Sequence, residues 1–243
     1  MRGRIDQVLV QRRLFSSRAK AQEAINAGLV IVDGEVIEKP GALVALTAAI
    51  SAQSPHPWVS RGGVKLAHGL QVFQVDPAGR VCLDVGASTG GFTQVLRAQG
   101  AAHVITVDVG RDQLDPQVRA DPGVTSYEGL DARALTRAQV PEGVSLLVAD
   151  VSFIGLAKAL PAALGLVAQA CDLVALVKPQ FESGPERRGS TGVPQDDAAR
   201  AIAAQAASGL EGVERFTVRG LIESPIRGGA GALEFLLHAR REG

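Results

Sequence analysis

Residues 83–92, LDVGASTGGF, join a buried strand to a glycine-rich turn that opens a helix. Val81, Cys82, Leu83 and Val85 are apolar and suit a strand, and Phe92 through Ala98 carries helical spacing. Gly86, Gly90 and Gly91 allow a tight turn that a ligand can approach with no Cβ in the way. Such a unit sets free backbone N–H groups and the positive end of a helix beside whatever binds. Ala87, Ser88 and Thr89 separate the first glycine from the second, which is not the G-x-G-x-x-G spacing of dinucleotide enzymes. Asp84 precedes Gly86 by two residues. Asp108 ends the next strand, HVITVD, where a carboxylate can take the two hydroxyls of a ribose. The turn predicts a nucleotide-like ligand.

Working outward, strands are predicted at 81–85, 103–107, 123–127, 145–149 and 172–177, with helices at 90–99, 112–119, 154–169 and 194–208. This alternation calls for a parallel sheet covered on both faces. The end differs: ERFTVRGLIES and GALEFLLHARR, joined by PIRGGAG, read as an antiparallel hairpin at the sheet edge. Ahead of the sheet, residues 4–15 place Ile5, Val8, Leu9 and Leu14 on one helical face. Ser16 or Ser17 caps a second helix that Gly28 ends, and LVIVDG turns at Asp33-Gly34 into EVIEKPG. The expected organisation is a small α+β head (1–50), a linker (51–58, SAQSPHPW) and an α/β body (59–243) with a Rossmann-like sheet.

The 243 residues are 46% hydrophobic and 21% charged, ordinary for a globular protein with a sizeable core. Net charge is zero but uneven: residues 1–65 hold nine Lys/Arg against five Asp/Glu. A basic head on a mildly acidic body points to a polyanionic partner. Cys82 and Cys171 lie at or in apolar strands and read as buried thiols, and no disulfide or zinc spacing exists, which fits a reducing cytoplasm. MRGRIDQVLV lacks the apolar core of a signal peptide. The apolar stretch 145–177 is interrupted by Asp150, Lys158, Pro161 and Asp172, short of the roughly 18 uncharged residues a span needs. A soluble protein is expected.

Two strands end in charge: LLVAD stops at Asp150 and LVALVK at Lys178, followed by Pro179. Ligands of open parallel sheets sit outside the carboxyl ends of the strands, so both should face the cleft by the glycine turn. A lysine there is costly unless a carboxylate partners it or a substrate uses it. Lys65 in VSRGGVKL and Glu234 in the last strand can converge on the same place, with Glu223 competing for the latter role. Asp150 can instead cap a helix over FIGLAKAL, and Asp131 can cap DARAL.

VSRGGVKL, LDVGASTGGF, ADVSFI, LVKPQFE and GALEFLL, in this order, resemble the TlyA family of bacterial ribosomal RNA 2′-O-methyltransferases, some of them called haemolysins. The body is similar to FtsJ-type ribose methyltransferases, whose class I sheet is mostly parallel with an antiparallel last strand. The head, with SSRAKAQEAI and G-L-V-x-V-x-G, resembles an S4 RNA-binding domain. The resemblance covers nearly the whole chain. It implies a catalytic quartet of Lys65, Asp150, Lys178 and Glu234, with Lys178 touching the ribose hydroxyl either as a base or as an orienting cation. It implies S-adenosylmethionine as cofactor, with Asp84, Gly86, Ser88, Thr89, Gly90, Gly91 and Phe92 around the methionine part, Asp108 on the ribose and Asp131 at the adenine amino group. No metal is expected. RNA contacts are expected from Arg4, Arg12, Arg13, Arg18 and Lys20 on the head, from Arg61, and from Arg187 and Arg188 in a loop (183–192) that closes over substrate. The implied partner is ribosomal RNA in its subunits, at cytidines of 16S or 23S. A membrane-active haemolysin lacks a span here, and a non-catalytic assembly factor would not need the quartet.

Overall fold

A computed structural model describes residues 1–182 and 192–243, which divide at Pro57 into two units. The expectations placed on Arg187, Arg188 and the loop from 183 to 191 lie outside the described residues. In the first unit, β1 (Arg2–Arg4) leads into α1 (Ile5–Gln11), α2 (Arg18–Asn26), β2 (Val30–Val32), β3 (Glu35–Val36), β4 (Leu43–Ala45) and β5 (Ile50–Ala52). α1 stops sooner than the spacing predicts, with Arg13 at φ 59 just beyond its end; Leu14 lands 44% exposed, and Phe15 joins Ile5, Val8 and Leu9 in the core instead. Ser17, rather than Ser16, caps α2 by accepting from Lys20 N at 3.3 Å, a contact worth about 1 kcal/mol. Asp33 and Gly34 turn the β2–β3 hairpin with φ 50 and 89, both positive as a two-residue turn requires. The segment read as linker from residue 51 begins as strand, because β5 pairs with β2 through backbone groups that its polar side chains do not reveal.

The second unit opens with α3 (Arg61–Phe73), β6 (Val81–Val85), α4 (Gly91–Ala98), β7 (His103–Asp108), α5 (Pro116–Arg119) and β8 (Val124–Glu128). It continues through β9 (Val144–Ala149), α6 (Leu156–Ala159), α7 (Pro161–Leu166), β10 (Cys171–Val177), α8 (Pro179–Glu182), α9 (Asp196–Ser208), β11 (Thr217–Glu223) and β12 (Phe235–Arg241). The sheet order is β11-β12-β10-β9-β6-β7-β8, parallel except for β12, which runs antiparallel to both β10 and β11. Two expected helices are shorter. Pro161 has no N–H to give, so the run 154–169 breaks into α6 and α7 at that residue. Asp115 caps α5 from just before Pro116, which removes the first turn of the expected 112–119 helix.

Helices cover both faces of the sheet. Leu83, Val85, Leu173, Ala175 and Val177 pack toward α6, α7 and α9, while Cys82, Leu146, Val148, Val174 and Leu176 pack toward α3 and α4. Side chains alternate between faces along a strand. Continuing that alternation puts Asp84, Asp108, Asp150, Lys178 and Glu234 all on the α3/α4 side, at one end of the sheet. Burial pushes the thiols of Cys82 and Cys171 up to about 12.

Candidate active site

Strand order reverses between β6 and β9, the place where open α/β sheets bind ligands. A cleft of about 650 Å³ opens there, lined by the glycine turn, the end of β7, Leu130 to Arg133 and Asp150 to Ile154. Gly86, at φ 85, is required by close approach, since a Cβ would sit 2.6 Å from the Asp150 carbonyl oxygen. Gly90 caps α4 at φ 90, where a Cβ would meet Leu114 and Val118 at 2.8 and 2.9 Å. Gly91 begins α4 tight against Ser60, and the Thr89 carbonyl accepts from Asp115 N at 3.2 Å. The Asp108 carboxylate braces the turn by accepting from Ser88 N at 2.8 Å and Gly110 N at 2.7 Å. Phe92 departs from expectation: it is 3% exposed and its side chain fills the α3/α4 core, so only its backbone belongs to the turn.

Asp84 is fully buried. Thr93 Oγ1 donates to its Oδ2 at 2.6 Å, and its Oδ1 has no partner. Burial pushes this carboxyl up to about 7; the Thr93 bond opposes the shift, and the charges of Asp150 and Asp108 add to it. Asp84 Oδ1 is thus a buried, unpartnered acceptor directly behind the cleft lining of Val85 and Gly86, with two further carboxylates nearby adding negative charge. Asp131 borders the cleft and is also a cap, accepting from Arg133 N at 2.9 Å. Its bonds to the Arg133 guanidinium, one at 2.5 Å, bring its carboxyl down to about 2.

The acceptor side is built from two lysine–carboxylate pairs. Lys178 Nζ lies 2.6 Å from Asp150 Oδ1 and donates to Ser152 Oγ at 2.8 Å. Lys65, 6% exposed on α3, bonds Glu234, 2% exposed just before β12. The β10–β12 register sets Val177 opposite Phe235, so Lys178 and Glu234 follow at adjoining strand ends. Glu223 stands apart, exposed and paired with Arg200 at 2.8 Å. Asp150 is not a helix cap, because α6 starts at Leu156 with Gly155 before it. Arg61 is exposed one helical turn ahead of Lys65 and donates to the Arg227 carbonyl at 3.4 Å. Among the described residues no His, Cys, Asp and Glu cluster could hold a metal.

Two residues missed by sequence reasoning stand here. Ser152 fixes Lys178, and Phe153 is 89% exposed on the cleft wall with φ 67, its ring 5.0 Å from that of Phe181. A bulky residue at positive φ stores roughly 1–3 kcal/mol of strain and persists only where its surroundings hold it. Nothing in VSFIGL announces this, since an aromatic inside an apolar run reads as core.

In the first unit, the charges sort by partner. Asp6, fully buried, accepts from Arg4 at 3.1 Å, Arg18 at 2.9 Å and Gln22 at 2.8 Å. These bonds, that of Arg4 foremost, hold its carboxyl well below the usual range against the effect of burial. Arg4 and Arg18 stay half exposed above it. Arg12 turns inward, bonding the carbonyls of Ala48 at 2.7 Å and Leu46, so its guanidinium serves the fold. Arg13 is exposed and Lys20 half-buried.

Comparison with known proteins sets this geometry in a family. Residues 58–241 match the FtsJ-like methyltransferase model and residues 3–49 the S4 domain model. The chain is 44% identical over 243 residues to the 16S/23S rRNA (cytidine-2′-O)-methyltransferase TlyA of Mycobacterium tuberculosis, covering 99% of this chain and 91% of that protein. A solved structure described as a hemolysin from Streptococcus thermophilus superposes with a TM-score of 0.74 at 36% identity, covering 99% of this chain and 88% of that one. An S-adenosylmethionine-dependent methyltransferase from Mesorhizobium loti shares the fold alone, with a TM-score of 0.54 at 14% identity over 75% of this chain and 100% of that one.

Proposed function

The chain belongs to the TlyA family of FtsJ-like methyltransferases, and on that premise we propose that it methylates the 2′-hydroxyl of cytidine in ribosomal RNA. When bound, S-adenosylmethionine supplies a methyl group carried on a cationic sulfur. The residues of the cleft fit that ligand. Asp108 suits the ribose and the Leu130–Arg133 segment with Asp131 suits the adenine edge, while Asp84, buried behind Val85 and Gly86 with Oδ1 unpartnered, places negative charge toward the methionine ammonium.

The observation that carries the reading is the pairing of Lys178 with Asp150, which lines this cleft, next to the Lys65–Glu234 pair at the adjoining strand end. Lys178 is the orienting cation: aimed by Asp150 and Ser152, it donates to the 2′-oxygen and holds it in line with the methyl group. The methyl group that S-adenosylmethionine would supply would pass from its sulfur to this oxygen, and the hydroxyl proton would pass to water. Lys65 and Glu234 keep the neighbouring wall charged and rigid. Positioning of this kind supplies a large share of an enzyme's acceleration. Phe153 offers the nucleobase a ring to stack on, a contact worth about 1–3 kcal/mol.

Arg4, Arg13, Arg18 and Lys20 on the head, with Arg61 near Lys65, are the proposed phosphate contacts, which hold RNA in register without reading its bases. Ribosomal subunits in the cytoplasm are the proposed substrate. No helix among the described residues is long and apolar enough to cross a membrane, and the hemolysin name stays with the relative that bears it. The test is transfer of labelled methyl from S-adenosylmethionine to purified ribosomal subunits. Transfer by the native chain and its loss in Lys178→Ala are expected; turnover by Lys178→Ala would overturn the role given to that lysine.

A further inference from the structure

The segment after β9 and the segment after β10 touch at three levels. Lys178 meets Asp150 and Ser152, the Phe181 ring lies against Phe153, and the Glu182 carboxylate accepts from Leu156 N at 2.9 Å. The last contact closes the far end of the loop that carries Phe153. It also explains Gly155, where a Cβ would sit 2.6 Å from Glu182 Oε2. Phe153 itself cannot rest at φ 67 without outside support. Its own loop has no regular structure between Asp150 and Leu156; Val151 and Ile154 anchor it to the core, and the α8 side adds the Phe181 ring and the Glu182 carboxylate.

We propose that Glu182 is a positioning residue: it fastens the Phe153 loop to the Lys178 segment, so that the ring facing the nucleobase and the cation facing the ribose are held as one unit. The proposal rests on the ribose-methyltransferase reading for its catalytic consequence, and on the geometry alone for the fastening. Burial pushes the Glu182 carboxyl up, and the backbone N–H of Leu156 opposes that. A neutral acceptor of the same shape should therefore serve nearly as well. Glu182→Gln keeps the acceptor oxygen, and Glu182→Ala removes it. Gly155→Ala forces the carboxylate away from the other side.

The experiment has two readouts. Hydrogen exchange over residues 151–157 reads the fastening without any assumption about substrate. Methyl transfer to ribosomal subunits, with kcat and KM separated, reads its consequence. Faster exchange at Leu156 is expected in Glu182→Ala and Gly155→Ala and not in Glu182→Gln. In the first two, kcat should fall about tenfold to a hundredfold, the order that small misplacements cost. The melting temperature should stay near its native value, and Glu182→Gln should restore kcat. Unchanged exchange in Glu182→Ala would overturn the fastening. Faster exchange with native kcat would overturn the positioning role. Faster exchange in a protein whose native form transfers no methyl to ribosomal RNA would leave the fastening standing and remove its proposed purpose, which marks a failure of the functional reading instead.

Discussion

The two halves of the cleft hold their charges in different ways. On the cofactor side, Asp108 accepts from backbone N–H groups of the glycine turn and of its own turn, Asp131 accepts from Arg133 N and its guanidinium, and Asp84 is fully buried with one oxygen unpartnered. On the acceptor side, Asp150 and Glu234 are committed to lysines. A carboxylate held by backbone alone, as Asp108 is, shapes a pocket and leaves its field negative, which suits a ligand carrying a sulfonium and an ammonium. Carboxylates tied to lysines aim their ammonium groups, which suits a substrate whose oxygen must be held. The two halves meet where Gly86 runs against the Asp150 carbonyl, and a single side-chain carbon would part them.

That division can be broken one half at a time. The largest expected effect is on the acceptor side: Lys178→Ala should lower turnover by about a thousandfold. Its affinity for S-adenosylmethionine by titration calorimetry should match the native value, and parallel loss of binding would merge the two halves. Gly86→Ala strains both halves together. A positive φ and a contact at 2.6 Å should cost about 2–4 kcal/mol of stability, read from the denaturation midpoint, together with the loss of cofactor binding.

The cofactor side alone should respond to pH through Asp84. Only the ionised carboxylate pairs with an ammonium, and this carboxyl sits at about 7. Affinity should therefore weaken below neutrality, by up to about tenfold per pH unit, and flatten in Asp84→Asn. The sign for stability is opposite. A carboxyl raised on folding stabilises the unliganded protein fully below the usual carboxylate range, and that contribution is lost as pH rises through about 7. The smallest effect concerns neither half. Cys82 and Cys171, pushed up to about 12, should resist a thiol reagent in the native protein and react only after unfolding.

The sequence was most legible where a residue's type forces its place. The glycines after β6 and the charged residues closing β9 and β10 interrupt strong apolar runs, so the sheet, Asp150 and Lys178 follow from pattern, whereas Lys65 and Glu234 were legible only through the family resemblance. Pro161 could have been read as the break between α6 and α7, since its missing N–H is visible in the letters. Pairing was not legible. Asp6 looks like an ordinary first-turn acid, yet it is the buried partner of Arg4 and Arg18. Arg12 looks like another surface charge, yet it closes carbonyls of its own unit. Phe92, expected beside the methionine part, fills the core, and Phe153, for which the sequence offered no role, is exposed at the cleft. Helical position separates neither case, because burial of an aromatic is decided by the element packed against it.

The central claim is that the methyl group goes to a ribose oxygen. Ribosomal RNA incubated with the protein and S-adenosylmethionine, then digested to nucleosides and analysed by mass spectrometry, tests it most directly. The account predicts 2′-O-methylcytidine, absent with Lys178→Ala. Methyl groups on the bases, or none at all from a protein that binds the cofactor, would contradict it.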